Sequence, residues 1–255
     1  MKEIQSIKNP LIKETKKLQQ KKYRTQTGTY LLEGFHLVQE AVNAGADVQE
    51  IFVNQRGQNE WATWLEEHFP DYYLVSDEIL KTLADQPAPQ GMVAVVAITE
   101  TAVENFEGAW LLLDQVQDPG NVGTMIRTAD AAGFRGVVLG EGTVDLYNPK
   151  TLRSTQGSHF HLTVVGGKLE ELIPQLQSQQ IPVYGTALDE QAKNYRTVEA
   201  LEYFALIMGN EGQGMRPEIL EMTDANLYIP IKGKAESLNV AVAAGVLMFK
   251  MVKEV

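Results

Sequence analysis

"LIMGNEGQGM", residues 206–215, is an apolar run that passes directly into three glycines, an asparagine and a glutamate. A strand that is apolar at every position has no face to offer water, so it belongs inside a parallel sheet covered by helices. The same character recurs around it in "AWLLLD" from residue 109, "GVVLG" from 136, "HFHLTVV" from 159, "IPVYGT" from 181 and "NLYIP" from 226. Helical stretches near 120–133, 148–156, 168–179 and 216–222 separate them. The final segment "LNVAVAAGVLMFKMV" is apolar almost all round, which predicts a buried helix. Alternation of strand and helix makes this half an α/β domain.

Residues 29–97 alternate in the same way on a smaller scale. "YLLEG", "VQEIFV", "YYLV" and "GMVAVVA" read as four strands, and "FHLVQEAVNAG", "NEWATWLEEHF" and "SDEILKTLADQ" as three helices. The polar "ITETAVENFEG" then reads as a linker, with a domain boundary near residue 104. Two domains follow, 1–104 and 105–255.

Composition narrows the function. The chain has 255 residues, 44% of them hydrophobic, enough for buried cores. It has no cysteine, which excludes disulfides, thiolate metal sites and a cysteine nucleophile. No signal peptide and no apolar run of membrane-spanning length stand in it, so a cytoplasmic protein is expected. The net charge of −11 is unevenly spread: eight basic residues against Glu3 and Glu14 give residues 1–24 a net +6 and leave −17 for the rest. Such a basic arm is either a solvated lysine-rich helix or a contact for RNA phosphates, with Lys13, Lys17, Lys21 and Arg24 as its candidate ligands.

Chemistry in open α/β sheets gathers at the carboxyl ends of the strands. Three stretches stand there. In "DQVQDPGNVGTMIRTADAAGF", residues 114–134, Pro119 and Asn121 open a helix whose Val122, Met125, Ile126, Ala129 and Ala132 face the core. Thr124, Arg127 and Thr128 fall on the other side, where Arg127 is either the surface partner of Asp130 or a clamp for an RNA phosphate. The 206–215 stretch lacks the lysine and hydroxyl of a P-loop, and it stands too late in its domain for a dinucleotide fingerprint. Its glycines suit close approach of backbone to a flat ligand, with Glu211 at the centre. In "YIPIKGKAESLNVAVAAG", residues 228–245, Ser237 reads as a helix N-cap, and Asn239 enters an apolar helix as an amide in need of a partner. His159 and His161 share one face of the expected strand with no carboxylate cluster beside them, so no metal site is expected. "KTLRSTQGSHF", residues 150–160, is a basic turn through which Arg153 could touch substrate or simply end a helix.

In this order the three stretches resemble the three motifs of the SpoU/TrmH family of RNA ribose 2′-O-methyltransferases, of the SPOUT class. "NPLIKETKKL", "YLLEGFHLVQEA" and "QGMVAVV" are similar to the amino-terminal substrate-binding domain of its ribosomal-RNA members. The resemblance implies a parallel sheet with a carboxyl-terminal trefoil knot. It implies S-adenosylmethionine as cofactor, held by Thr186, Gly209, Asn210, Glu211, Gly212, Ile229, Ile231, Ser237 and Leu238. It also implies Asn121, Arg127, Glu211, Ser237 and Asn239 as catalytic residues, RNA contacts that include Arg127 and Arg153, no metal, and a homodimer that pairs near the cofactor. The family's arginine is implied to act as base; because a guanidinium stays protonated at neutral pH, a phosphate-and-ribose clamp is the easier role for Arg127. The competing readings are a non-catalytic RNA-binding module of the same fold and a transfer-RNA methyltransferase.

Overall fold

The computed structural model describes residues 1–253 apart from 87, 100, 102, 104 and 188–190. It divides into two compact units, Met1–Glu100 with Tyr147–Phe160, and Thr101–Leu146 with His161–Val255. The boundary expected near residue 104 falls on a residue outside those described.

The first unit runs β1 (Lys2–Ile4), α1 (Pro10–Lys17), α2 (Lys21–Thr27), β2 (Thr29–Glu33), α3 (Phe35–Asn43), β3 (Val48–Val53), α4 (Gln55–Glu60), α5 (Ala62–His68), β4 (Tyr73–Val75), α6 (Asp77–Leu83) and β5 (Met92–Ala97). Its sheet has the order β1-β4-β3-β5-β2, with β5 antiparallel to both neighbours. The uniformly apolar β5 is explained by two cores. Met92, Ala94 and Val96 pack into one, and Val93 and Val95 into the other, so successive side chains serve opposite faces.

The amino-terminal segment is no loose arm. β1 pairs with β4, and Ile12 and Leu18 join the same core as Val93. The stretch read as one helix from Asn59 to Phe69 is instead two helices that meet at Trp61. Gly57 is the reason for close packing there, since a Cβ on it would run into the backbone of Gly91.

The second unit runs β6 (Ala109–Leu113), α7 (Pro119–Ala131) and β7 (Gly136–Gly140); after α8 (Pro149–Thr155), which belongs to the first unit, come β8 (Thr163–Gly167), α9 (Leu169–Ser178), β9 (Val183–Thr186), β10 (Lys193–Asn194), β11 (Phe204–Met208), α10 (Pro217–Leu220), β12 (Ala225–Tyr228) and α11 (Val240–Met251). Seven strands in the order β10-β12-β9-β11-β6-β7-β8 pair in parallel throughout, as the all-apolar strands require. Trp110, Leu112, Ala205 and Ile207 meet Leu169, Leu172, Ile173 and Leu176 of α9 in one core.

Three expectations need correction. The strand read from His159 begins only at Thr163, because Gln156 and Gly157 take left-handed backbone and turn the chain into a short 3-10 segment over Ser158–Phe160. His159 and His161 therefore do not share a strand face: His159 Nδ1 lies 2.9 Å from Thr155 Oγ1, and His161 Nδ1 lies 2.9 Å from an Asp130 carboxylate oxygen. Finally, α11 is not buried all round, since Val242 is 55% and Phe249 62% exposed. Among the described residues no helix is long and apolar enough to cross a membrane.

Candidate cofactor and catalytic site

The loop after β11 is built on its own backbone. Asn210 and Gly214 exchange backbone hydrogen bonds, Asn210 N to Gly214 O at 2.9 Å and Gly214 N to Asn210 O at 3.0 Å. Asn210 Oδ1 also accepts from the N–H groups of Gly212 and Gln213, at 2.9 and 3.1 Å. A side chain on Gly209 would collide with the backbone of Gly214 and Met215, and Gly214 has φ +73°. These two glycines thus serve the turn itself, whether or not their backbone also meets a ligand. Gly212 is different: a Cβ there would meet nothing closer than Asn210 Oδ1 at 3.8 Å. At the loop's far end the fully buried Asp114 accepts from Arg216 N at 2.8 Å and from Arg216 Nε at 2.7 Å, an anchor that inspection of the motifs missed.

This loop grips the one between β6 and α7. Asn210 Nδ2 donates to Gln115 O at 2.9 Å, and Gln115 is one of three non-glycine residues described with positive φ, at 57°. Glu211 accepts from Gln117 N at 3.2 Å, Asp118 N at 3.0 Å and Asn121 Nδ2 at 3.0 Å. Partial burial alone would raise the Glu211 pKa. The Asn121 amide and the backbone N–H donors outweigh it and hold the carboxyl below its ordinary value. Glu211 is therefore an anion at neutral pH.

The third stretch closes the arrangement. Asn239, not Ser237, caps α11: its Oδ1 accepts from Ala241 N at 2.9 Å and Val242 N at 3.3 Å. With its oxygen so committed, Asn239 turns its Nδ2 outward to donate to Asn121 Oδ1 at 3.0 Å. Asn121 must then present its own Nδ2 to Glu211. Helix end, two amides and carboxylate thereby fix one another's orientation, and each NH2 group keeps one N–H without a protein partner among the described residues.

Beside this chain lies a cavity of about 520 Å³. Thr186, Gly209, Asn210, Glu211, Gly212, Ile229, Ile231, Ser237 and Leu238, all singled out from sequence, line it. Tyr228, Val240 and Leu247 line it too; their membership was hidden because strand and helix residues facing a cavity look like core residues. One wall is aliphatic and the other presents the turn's backbone groups. That is the chemistry a nucleoside needs, and the volume lies in the range of ordinary ligand sites.

The remaining candidates separate. Arg127 is exposed on α7, along the ridge Asn121, Thr124, Arg127, and makes no hydrogen bond or ion pair among the described residues. Asp130, its expected surface partner, pairs with His161 instead. Lys13 and Lys21 are exposed, while Lys17 is ion-paired to Glu14 at 2.7 Å. Arg24 is only 4% exposed and donates Nη1 to Leu18 O and Gln19 O, both at 2.9 Å, so it is a structural cap of α1 and no RNA ligand. Arg153 is held by Asp85 at 2.8 Å and faces Glu33 at 3.7 Å within the first unit, an ion pair that a substrate phosphate would have to compete with.

A parallel α/β sheet with a nucleoside-sized cavity at the carboxyl ends of its strands, and a hydrogen-bonded carboxylate–amide chain at the rim, has the form of a nucleoside-cofactor enzyme. The SpoU rRNA Methylase family model matches residues 108–249, and that of the MRM3-like substrate binding domain matches residues 9–94. The chain belongs to the SpoU rRNA methylase family. It is 47% identical, over 98% of its length and 99% of the relative's, to the 23S rRNA (guanosine(2553)-2′-O)-methyltransferase RlmP of Bacillus subtilis. Among solved structures it is similar to an AdoMet-bound rRNA methyltransferase from Sinorhizobium meliloti, with 31% identity, TM-score 0.86 and coverage of 98% of this chain and 96% of that one. It is also similar to the SpoU methyltransferase AviRb of Streptomyces viridochromogenes in complex with AdoMet, with 26% identity, TM-score 0.85 and coverage of 95% and 97%.

Proposed function

We propose that this protein methylates a ribose 2′-hydroxyl of ribosomal RNA, using S-adenosylmethionine, and that it does so in the cytoplasm. The observation that carries the proposal is the hydrogen-bonded chain Asn239–Asn121–Glu211 at the rim of the cavity. Similarity along nearly the whole chain to an enzyme named for a guanosine of 23S rRNA supports ribosomal over transfer RNA.

S-adenosylmethionine, when bound, supplies a methyl already activated on sulfonium, so alignment of the ribose oxygen and removal of its proton remain for the protein. The aliphatic wall of Ile229, Ile231 and Leu238 takes an adenine face, and the open backbone at Gly212 admits the ribose. The free N–H groups of Asn121 and Asn239 are the donors left for substrate oxygens. Arg127, unpaired two turns along α7, clamps RNA phosphate and ribose with its planar fork. Ser237 stands at the cavity edge as a further hydroxyl. Lys13, Lys17 and Lys21 of the first unit contact RNA phosphates. Two copies associate through α11, which covers Val242 and Phe249, and the 209–239 region follows the knotted path of the class.

Mapping ribose methylation in 23S rRNA from cells with and without the protein tests the proposal. One 2′-O-methyl should vanish with the protein and return with the purified enzyme and cofactor. An unchanged methylation map would sink it.

A further inference from the structure

The elbow between α1 and α2 carries an aromatic ring that the fold does not use. Tyr23 is half-buried, belongs to neither apolar core of the first unit, and its hydroxyl has no hydrogen bond among the described residues. Cations flank the ring: Lys17 Nζ lies 5.5 Å and Lys22 Nζ 5.9 Å from its centre. Lys13 stands one helical turn before Lys17, on the same side of α1. On the opposite side Ile12, Thr15 and Leu18 are buried. The elbow is rigid, because the buried guanidinium of Arg24 ties down the carbonyls of Leu18 and Gln19 at the end of α1.

We propose that this elbow binds an unpaired nucleotide of RNA, with a base stacked on Tyr23 and the flanking phosphates taken by Lys13, Lys17 and Lys22. The inference rests on the reading above that Lys13 and Lys17 meet RNA, and adds Lys22, the base contact and the single-stranded form of the target. Lysines alone would serve any polyanion. A ring placed among them adds affinity only for a partner with an exposed π-face, and duplex RNA keeps its base faces inside the stack. An acidic peptide satisfies the lysines and leaves the ring unused. Concentration of cations here, on a chain of net charge −11, favours a strongly anionic partner at this place on the surface.

The test is binding of the full-length protein to a short labelled single-stranded RNA, and to the same sequence as a duplex, across a range of salt. Tyr23→Leu should weaken single-strand binding by about 10-fold, the usual scale of one stacked base, and leave duplex binding and the salt slope unchanged. Tyr23→Phe should bind nearly as the natural protein. Lys17→Gln with Lys22→Gln should flatten the logarithmic salt slope by about 1 to 2 units. If the lysine variant flattens the slope and Tyr23→Leu changes nothing, stacking is wrong and the phosphate surface stands. If neither variant has an effect, RNA does not bind here at all. Competition by polyglutamate as effective as that by RNA of equal charge would make the partner a protein. Ultraviolet cross-linking of the unmodified protein should place an RNA adduct on the peptide that carries Tyr23; its absence contradicts the proposal however the variants fold.

Discussion

Asn239 donates its side-chain amide to Asn121 Oδ1 across 3.0 Å, joining the first turn of α11 to the first turn of α7. The contact spans 118 residues of sequence, and its direction is dictated by the capping role of Asn239. Asn239→Asp separates the two roles. Aspartate caps a helix as well as asparagine and adds a favourable charge at the positive end, so α11 should stay formed and the protein folded. It cannot donate to Asn121, whose amide must then turn and release Glu211. Methyl transfer should fall by about 100-fold, the scale of a small misplacement in an aligned site. A variant that transfers normally would show that the amide chain plays no part in alignment.

Glu211 makes a pH prediction. Its pKa is lowered in the folded chain, so its hydrogen bonds stabilise the native state fully above the ordinary glutamate pKa of about 4.3 and lose that effect as pH falls through the lowered value. In Glu211→Gln one acceptor becomes an NH2 group facing backbone N–H donors, which weakens the grip at every pH. The difference in melting temperature between natural protein and variant should be constant from neutral pH down to about 4.3 and shrink below it. A difference that grows on acidification would reverse the assignment of Glu211 as an anion.

Two glycines of one loop should behave oppositely. Gly209→Ala forces a methyl into the backbone of Gly214 and Met215, so the melting temperature should drop. Gly212→Ala puts a methyl into open space on the cavity lining, so folding should be untouched and calorimetry should show weaker S-adenosylmethionine binding. Equal cofactor affinity in Gly212→Ala and the natural protein would move the nucleoside away from this turn.

What could be read in advance follows the range of the forces involved. The strands of both sheets except the short, polar edge strands β1 and β10, and most helices, were legible, because burial on two faces writes an unbroken apolar run into a strand and burial on one side writes a stripe into a helix. The gathering of Asn121, Glu211 and Asn239 was legible as three motifs, though their hydrogen-bond order was not. Long-range events left no local mark: α8 lies between β7 and β8 in sequence yet buries Thr151, Leu152 and Thr155 in the first unit. Arg24 and Arg153 look like their solvated neighbours until Leu18 O, Gln19 O, Asp85 and Glu33 are seen around them. Ser237 and Asn239 are equally good caps in isolation, and only the start of α11 at Val240 decides between them.

Arg127 is where the proposed chemistry is most exposed to refutation, since it faces away from the buried side of α7 and the fold has no use for its charge. The measurement is single-turnover methyl transfer from S-adenosylmethionine to ribosomal RNA by Arg127→Ala, with calorimetric cofactor binding and a thermal melt alongside. Cofactor affinity and melting temperature should match the natural protein, transfer should fall by about 100-fold or more, and Arg127→Lys should recover little of it because a point charge lacks the two-pronged grip. Full-rate transfer by the alanine variant would contradict the proposed RNA clamp and leave Arg127 an ordinary surface residue.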